Sequence, residues 1–70
     1  MKYAIILERT ATGFSAYSPD LPGCVSAGDT AEETEGNMRE AIESHIELMR
    51  EGGIPVPSPH TRVSYVEVTA

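Results

Sequence analysis

The sequence predicts an α+β domain with elements in the order β-β-β-α-β. Three observations carry that expectation. Two early segments, Lys2–Glu8 and Phe14–Ser18, alternate with the two-residue period of a strand. A tight turn, Leu21-Pro22-Gly23-Cys24, separates them from a short apolar stretch. A long amphipathic run then starts at Thr30 and stops at Gly52-Gly53.

In Lys2–Glu8, Tyr3, Ile5 and Leu7 share one face. Ile6 breaks the polar side, so the strand is expected to be covered on both faces at its middle. Arg9-Thr10-Ala11-Thr12-Gly13 suits a short hairpin connection with glycine at its end. Phe14, Ala16 and Ser18 fall on one face of the second strand and Ser15 and Tyr17 on the other. Pro19 stops it, having no amide hydrogen for a ladder. In the following turn Pro22 presets φ and Gly23 supplies the positive φ of a type II turn. Cys24–Ala27 has room only for a short third strand.

Thr30 is a good N-cap, and Glu33 three residues on completes a capping box. Asp29, Glu32 and Glu33 suit the positive end of the helix dipole. Thr34, Met38, Ala41, Ile42, His45 and Met49 fall on one stripe, with Glu40, Glu43, Glu47 and Glu51 opposite. Gly36 lies outward with no evident purpose. Pro55, Pro57 and Pro59 make a stiff, extended connector. The β-branched and aromatic Arg62–Val68 is expected to form a last strand beside the first, delivered by a right-handed crossover.

Seventy residues make one small domain, whose core is marginal at this size. Cys24 is the only cysteine, so no disulfide can form and no zinc spacing exists. Self-association, as a dimer or tetramer, is the expected extra source of stability. A lone thiol fits a reducing, cytoplasmic setting. Tyr3–Leu7 is too short for a signal segment or a membrane span. Net charge is −6, with five basic residues against eleven acidic ones. That balance argues against direct nucleic-acid binding and permits a basic protein partner.

Catalysis finds little support. His45 sits in the apolar stripe and is expected to be a core histidine satisfied by one hydrogen bond. His60, in the connector, has no obvious mate. Cys24 with a histidine is the only nucleophile pair available, and a buried packing role suits it better. The β-β-β-α-β order opens the ribonuclease-H-like fold, whose nucleases hold two metal ions on carboxylates. The first strand here has no carboxylate in its middle, Glu8 and Glu67 fall at strand ends, and the helical glutamates point away. No catalytic residue, metal site or cofactor is expected.

Tyr17-Ser18-Pro19-Asp20-Leu21-Pro22-Gly23-Cys24, then Gly28-Asp29-Thr30 with Glu32-Glu33, then Asn37, Glu40-Ala41-Ile42 and His45, and finally Ile54-Pro55 with Pro57 and Pro59, resemble the HicB antitoxin family in a minimal form. The resemblance covers residues 3–68. It implies a partial ribonuclease-H-like fold without nuclease activity. It also implies a small HicA toxin as partner, an mRNA-cleaving ribonuclease that uses a histidine, whose active site the antitoxin hides. Many members carry a C-terminal DNA-binding segment; this chain ends two residues after the expected last strand, so none is expected within it. Relatives often have alanine where Thr34 stands, a place threonine fills through its methyl group.

Candidate partner contacts are Asp20, Leu21, Pro22, Gly23 and Cys24 in the loop and Glu40, Glu43 and Glu47 on the helix ridge. Within the loop, Pro22 and Gly23 are expected to make the turn and Asp20 to cap loop amides. A second reading stays open at this point: an orphan, self-associating domain that binds another protein or a small ligand along an exposed sheet edge.

Overall fold

The computed structural model describes residues 1–70. Three short strands, β1 (Ile6–Arg9), β2 (Phe14–Tyr17) and β3 (Val25–Gly28), precede one helix, α1 (Ala31–Glu51). The strands form an antiparallel meander in the order β1-β2-β3. Ile6 pairs with Tyr17 and Arg9 with Phe14; Tyr17 pairs with Val25 and Phe14 with Gly28. The first hairpin closes through the Thr10 amide, which donates to the Gly13 carbonyl at 2.8 Å. The Arg9 guanidinium lies 5.7 Å from the centre of the Phe14 ring.

The helix covers one face of the sheet. The core beneath it is small: Ala16, Leu21, Cys24 and Met38, with Tyr3, Ile5, Leu7, Ala41 and Ile42 packed around them. Ala16 and Ser18 thus point inward from β2, as the alternation requires. The other face has no second layer, contrary to the expectation that Ile6 would be covered on both sides. Val25 is exposed, and Tyr17 between it and Ile6 is 41% exposed.

The first strand is also shorter than expected at its start. Continuing the β1–β2 register places Pro19 opposite Ala4, and proline has no amide to extend the ladder. The Ser18 hydroxyl donates to the Ala4 carbonyl instead, at 3.0 Å. The third strand falls one residue later than Cys24–Ala27, because Cys24 is used to close the turn.

Both helix ends follow local chemistry. Thr30 Oγ1 accepts the Glu33 amide at 3.1 Å. Only that half of the capping box forms; Glu33 does not reach back to the Thr30 amide. The Thr34 hydroxyl donates to the Thr30 carbonyl at 2.7 Å, which satisfies it in a fully buried position. At the far end the Gly53 amide donates to Arg50 and the Ile54 amide to Met49, with Gly53 at φ +68°. This is the Schellman pattern that glycine permits. Asn37 ties the helix to β3 by donating to the Ala27 carbonyl at 2.9 Å.

Thr34 and Met38 are the two fully buried residues of the stripe. His45 is only half-buried, and its ring makes no hydrogen bond within the chain, so it is not the satisfied core histidine expected. Gly36 faces open space, and a methyl group there would meet nothing within 4 Å. Gly36→Ala should therefore stabilise the chain by about 1 kcal/mol, a rise of about 4–8 °C in thermal midpoint. An unchanged or lower midpoint would contradict this.

The last strand is absent. Residues 52–70 form no regular element, and 62–70 are exposed throughout. The principal extents are 48 × 26 × 16 Å, and the radius of gyration is 13.7 Å, against about 11 Å for a compact domain of this length. Before residues 62–70 the connector is fastened to Tyr3 and to Asp20.

Candidate functional site

The loop between β2 and β3 is a closed, tightly bonded turn. The Ser18 amide donates to Cys24, the Leu21 amide to Ser18 and the Cys24 amide to Leu21, at 3.3, 3.2 and 3.1 Å. Gly23 has φ +83°, the left-handed value that the third position of a type II turn needs. A Cβ there would meet nothing within 4 Å, so any cost of substitution is backbone strain alone. Gly23→Val should lose about 1–3 kcal/mol of stability, read by urea unfolding. Full wild-type stability would contradict the turn.

Ser18, Asp20, Leu21 and Cys24 are buried, whereas Pro22 and Gly23 lie at the surface. Leu21 and Cys24 belong to the core. Burial pushes the Cys24 thiol above its ordinary pKa, and no hydrogen bond joins it to either histidine. It packs within the core, and its raised pKa disfavours the thiolate form.

Asp20 does not cap its own loop. Its Oδ2 accepts the amides of His60 and Thr61, at 2.9 and 3.0 Å. Its Oδ1 accepts the Thr61 hydroxyl at 2.5 Å and lies 3.1 Å from His60 Nε2. The Thr61 hydroxyl, then the two amides and the charge of His60, hold the Asp20 carboxyl below its usual pKa, against the opposing effect of burial. The Tyr3 hydroxyl donates to the Pro57 carbonyl and fixes the same connector a few residues earlier. His60 therefore does have a mate, one 40 residues away in sequence. Local sequence patterns give no sign of a pair so far apart. The only hint is that Pro55, Pro57 and Pro59 leave His60 and Thr61 as the first two consecutive amides of the connector.

The ridge glutamates Glu40, Glu43, Glu47 and Glu51 are all exposed. Glu43 also borders an open groove of about 600 Å³ between the β1 side of the sheet and the helix. The groove has a floor of Tyr3, Ile5 and Leu7 and a helical wall of Ile42 and Ile46, with Glu35, Arg39, Glu43 and Lys2 at its rim. It exists because the helix packs most closely on β3, less on β2 and least on β1. Ile46 lies outside the stripe expected from the sequence, although its i+4 spacing from Ile42 is the signal that marks it. No three His, Cys, Asp or Glu side chains gather in a metal-binding group, and no helix is long and apolar enough to cross a membrane.

A family model described as "HicB_like antitoxin of bacterial toxin-antitoxin system" matches residues 3–69. The chain is 41% identical over 66 residues to an uncharacterized 14.9 kDa protein of Haemophilus phage HP1, covering 94% of this chain and 50% of that protein. It is 31% identical over 71 residues to Antitoxin HicB 2 of Photorhabdus laumondii, covering 100% of this chain and 51% of that one. The chain thus spans about half the length of these two curated relatives. Among solved structures it matches a chain of the "HicA3 and HicB3 toxin-antitoxin complex" with a TM-score of 0.75 and 40% identity, covering 86% of this chain and 70% of the other. It also matches "Antitoxin HicB3 crystal structure" with a TM-score of 0.69 and 42% identity, covering 81% and 42%.

Proposed function

This chain belongs to the HicB-like antitoxin family, and from that premise we propose that it is a protein-binding antitoxin, which docks on a small basic HicA-like toxin and covers its mRNA-cleaving site. The observation that carries the reading is the likeness, in fold and sequence together, to a chain of the HicA3–HicB3 complex. Charge supports it. A net −6 and an exposed glutamate ridge complement a surface built to hold RNA, and five basic residues leave little with which to bind nucleic acid directly.

Contact with the toxin falls to Pro22 and Gly23, at the surface of the turn, and to Glu40, Glu43 and Glu47. Asp20, Leu21 and Cys24 act from within, holding the turn in shape. The role is non-enzymatic, and the setting is the cytoplasm, where a lone buried thiol stays reduced. The meander and helix correspond to part of a ribonuclease-H-like fold without its metal site. The chain works as a homo-oligomer, because its core is small for a free-standing domain.

Co-purification with the product of the adjacent reading frame tests this. A one-to-one complex is expected at low salt, weakening as salt rises because steering by exposed charge is screened. No complex at either salt would contradict the reading.

A further inference from the structure

The segment from Ser18 to Cys24 is a pair of β-turns in tandem. In the first, Ser18-Pro19-Asp20-Leu21, the Leu21 amide donates to the Ser18 carbonyl; in the second, Leu21-Pro22-Gly23-Cys24, the Cys24 amide donates to the Leu21 carbonyl. Each has proline at its second position, where a fixed φ suits the turn. The turns share Leu21, which is 1% exposed and set in the core. The second turn carries the exposed tip, Pro22 and Gly23. The direction of that tip follows from the first turn, whose third residue is Asp20.

Asp20 is buried, yet no group of either turn donates to its carboxylate. Its donors come from the connector: the amides of His60 and Thr61 and the Thr61 hydroxyl, with His60 Nε2 3.1 Å from Oδ1. A buried carboxylate that loses a donor costs more than an ordinary hydrogen bond is worth. The Asp20 side chain therefore sits where the connector puts it, and the first turn has to follow.

We propose that Thr61 and His60 are positioning residues for the Pro22–Gly23 tip: they hold Asp20, and through it they fix the orientation in which the tip meets a partner. The partner is the basic toxin of the antitoxin reading, on which that part of the proposal rests. Thr61 carries most of the effect. Its amide binds Oδ2 and its hydroxyl binds Oδ1, so it grips both carboxylate oxygens at once and stops the group from turning. The His60 side chain is 73% exposed and adds the lesser share. A tip held in place before contact has less freedom to lose on binding. Recognition at the tip is in this way set from a connector distant in sequence.

Thr61→Val nearly keeps the shape of the side chain, keeps the backbone amide and removes the hydroxyl; Thr61→Ser puts the hydroxyl back. In the chain alone, Thr61→Val should speed hydrogen exchange at the Leu21 and Cys24 amides by about tenfold. Thr61→Ser should return both to near the wild-type rate, and the helix amides of Met38 and Ile42 should not move. Against the purified product of the adjacent reading frame, Thr61→Val should weaken binding by about fivefold or more, through faster dissociation, and Thr61→Ser should restore it. Turn amides that ignore Thr61→Val, helix amides that speed up as much as the turn, or equal affinities for wild type and Thr61→Val would each overturn the proposal. A wild-type chain that does not bind the neighbouring product would overturn the antitoxin reading and the partner named with it, while the exchange rates still decide whether Thr61 holds the turn.

Discussion

Leu21→Ala should remove a large share of the chain's folding stability. Leu21 is 1% exposed and is one of only four buried apolar residues. Truncating a buried leucine costs about 2–5 kcal/mol through lost transfer energy and the cavity that remains. A chain of this length has about 4–10 kcal/mol to lose. The site also has little freedom to collapse, because the turn around it is held by the Ser18, Leu21 and Cys24 amides. Urea unfolding followed by circular dichroism measures the effect. A loss below about 1 kcal/mol, as for surface positions, would show that the turn is not part of the core.

Asp20→Ala should release the connector without unfolding the sheet and helix. Three donors, the amides of His60 and Thr61 and the Thr61 hydroxyl, converge on that one carboxylate. Its loss leaves them to water, with the Tyr3–Pro57 bond as the remaining hydrogen bond from the connector to the β1 side. Hydrogen exchange at the His60 and Thr61 amides reads this directly: protected in the wild type, exposed to exchange in the variant. Acid should act in the same way. The carboxyl pKa is lowered in the folded state from 3.8, so the unfolded or undocked chain binds the proton more readily. The contribution is complete above the ordinary carboxylate value and is lost as pH falls through the folded value beneath it. Protection at the two amides should therefore persist down to about pH 4 and disappear below it. Amides that stay protected in Asp20→Ala would show that the carboxylate does not hold the connector.

What the sequence disclosed follows the range of the interactions. The helix cap at Thr30, the glycine stop after Glu51 and the turn at Pro22-Gly23 depend on neighbours within five residues, and each lies where local chemistry puts it. Strand faces were legible as well, since Ala16 and Ser18 are buried and Tyr17 is not. The errors come from partners distant in sequence. Asp20 was assigned to its own loop because its real partners follow 40 residues later. Lys2–Glu8 reads as one strand, but the ladder starts only at Ile6, and Pro19, across from Ala4, cannot continue it. Arg62–Val68 has the composition of a strand, but composition does not say which edge will receive it, and this chain's own β1 does not. The site shows the same division. The turn was visible as a motif, whereas the clamp beneath it and the groove beside it arise only from tertiary packing.

The proposed antitoxin role has one consequence that is testable above all others: suppression of RNA cleavage by a toxin partner through direct contact with this chain. The measurement is the rate of RNA cleavage by the purified product of the adjacent reading frame, titrated with this chain at moderate salt. Suppression complete near one equivalent, and relieved by reversing the charges at Glu40, Glu43 and Glu47 together, is the result expected. Cleavage that continues at full rate with excess chain present would contradict the account.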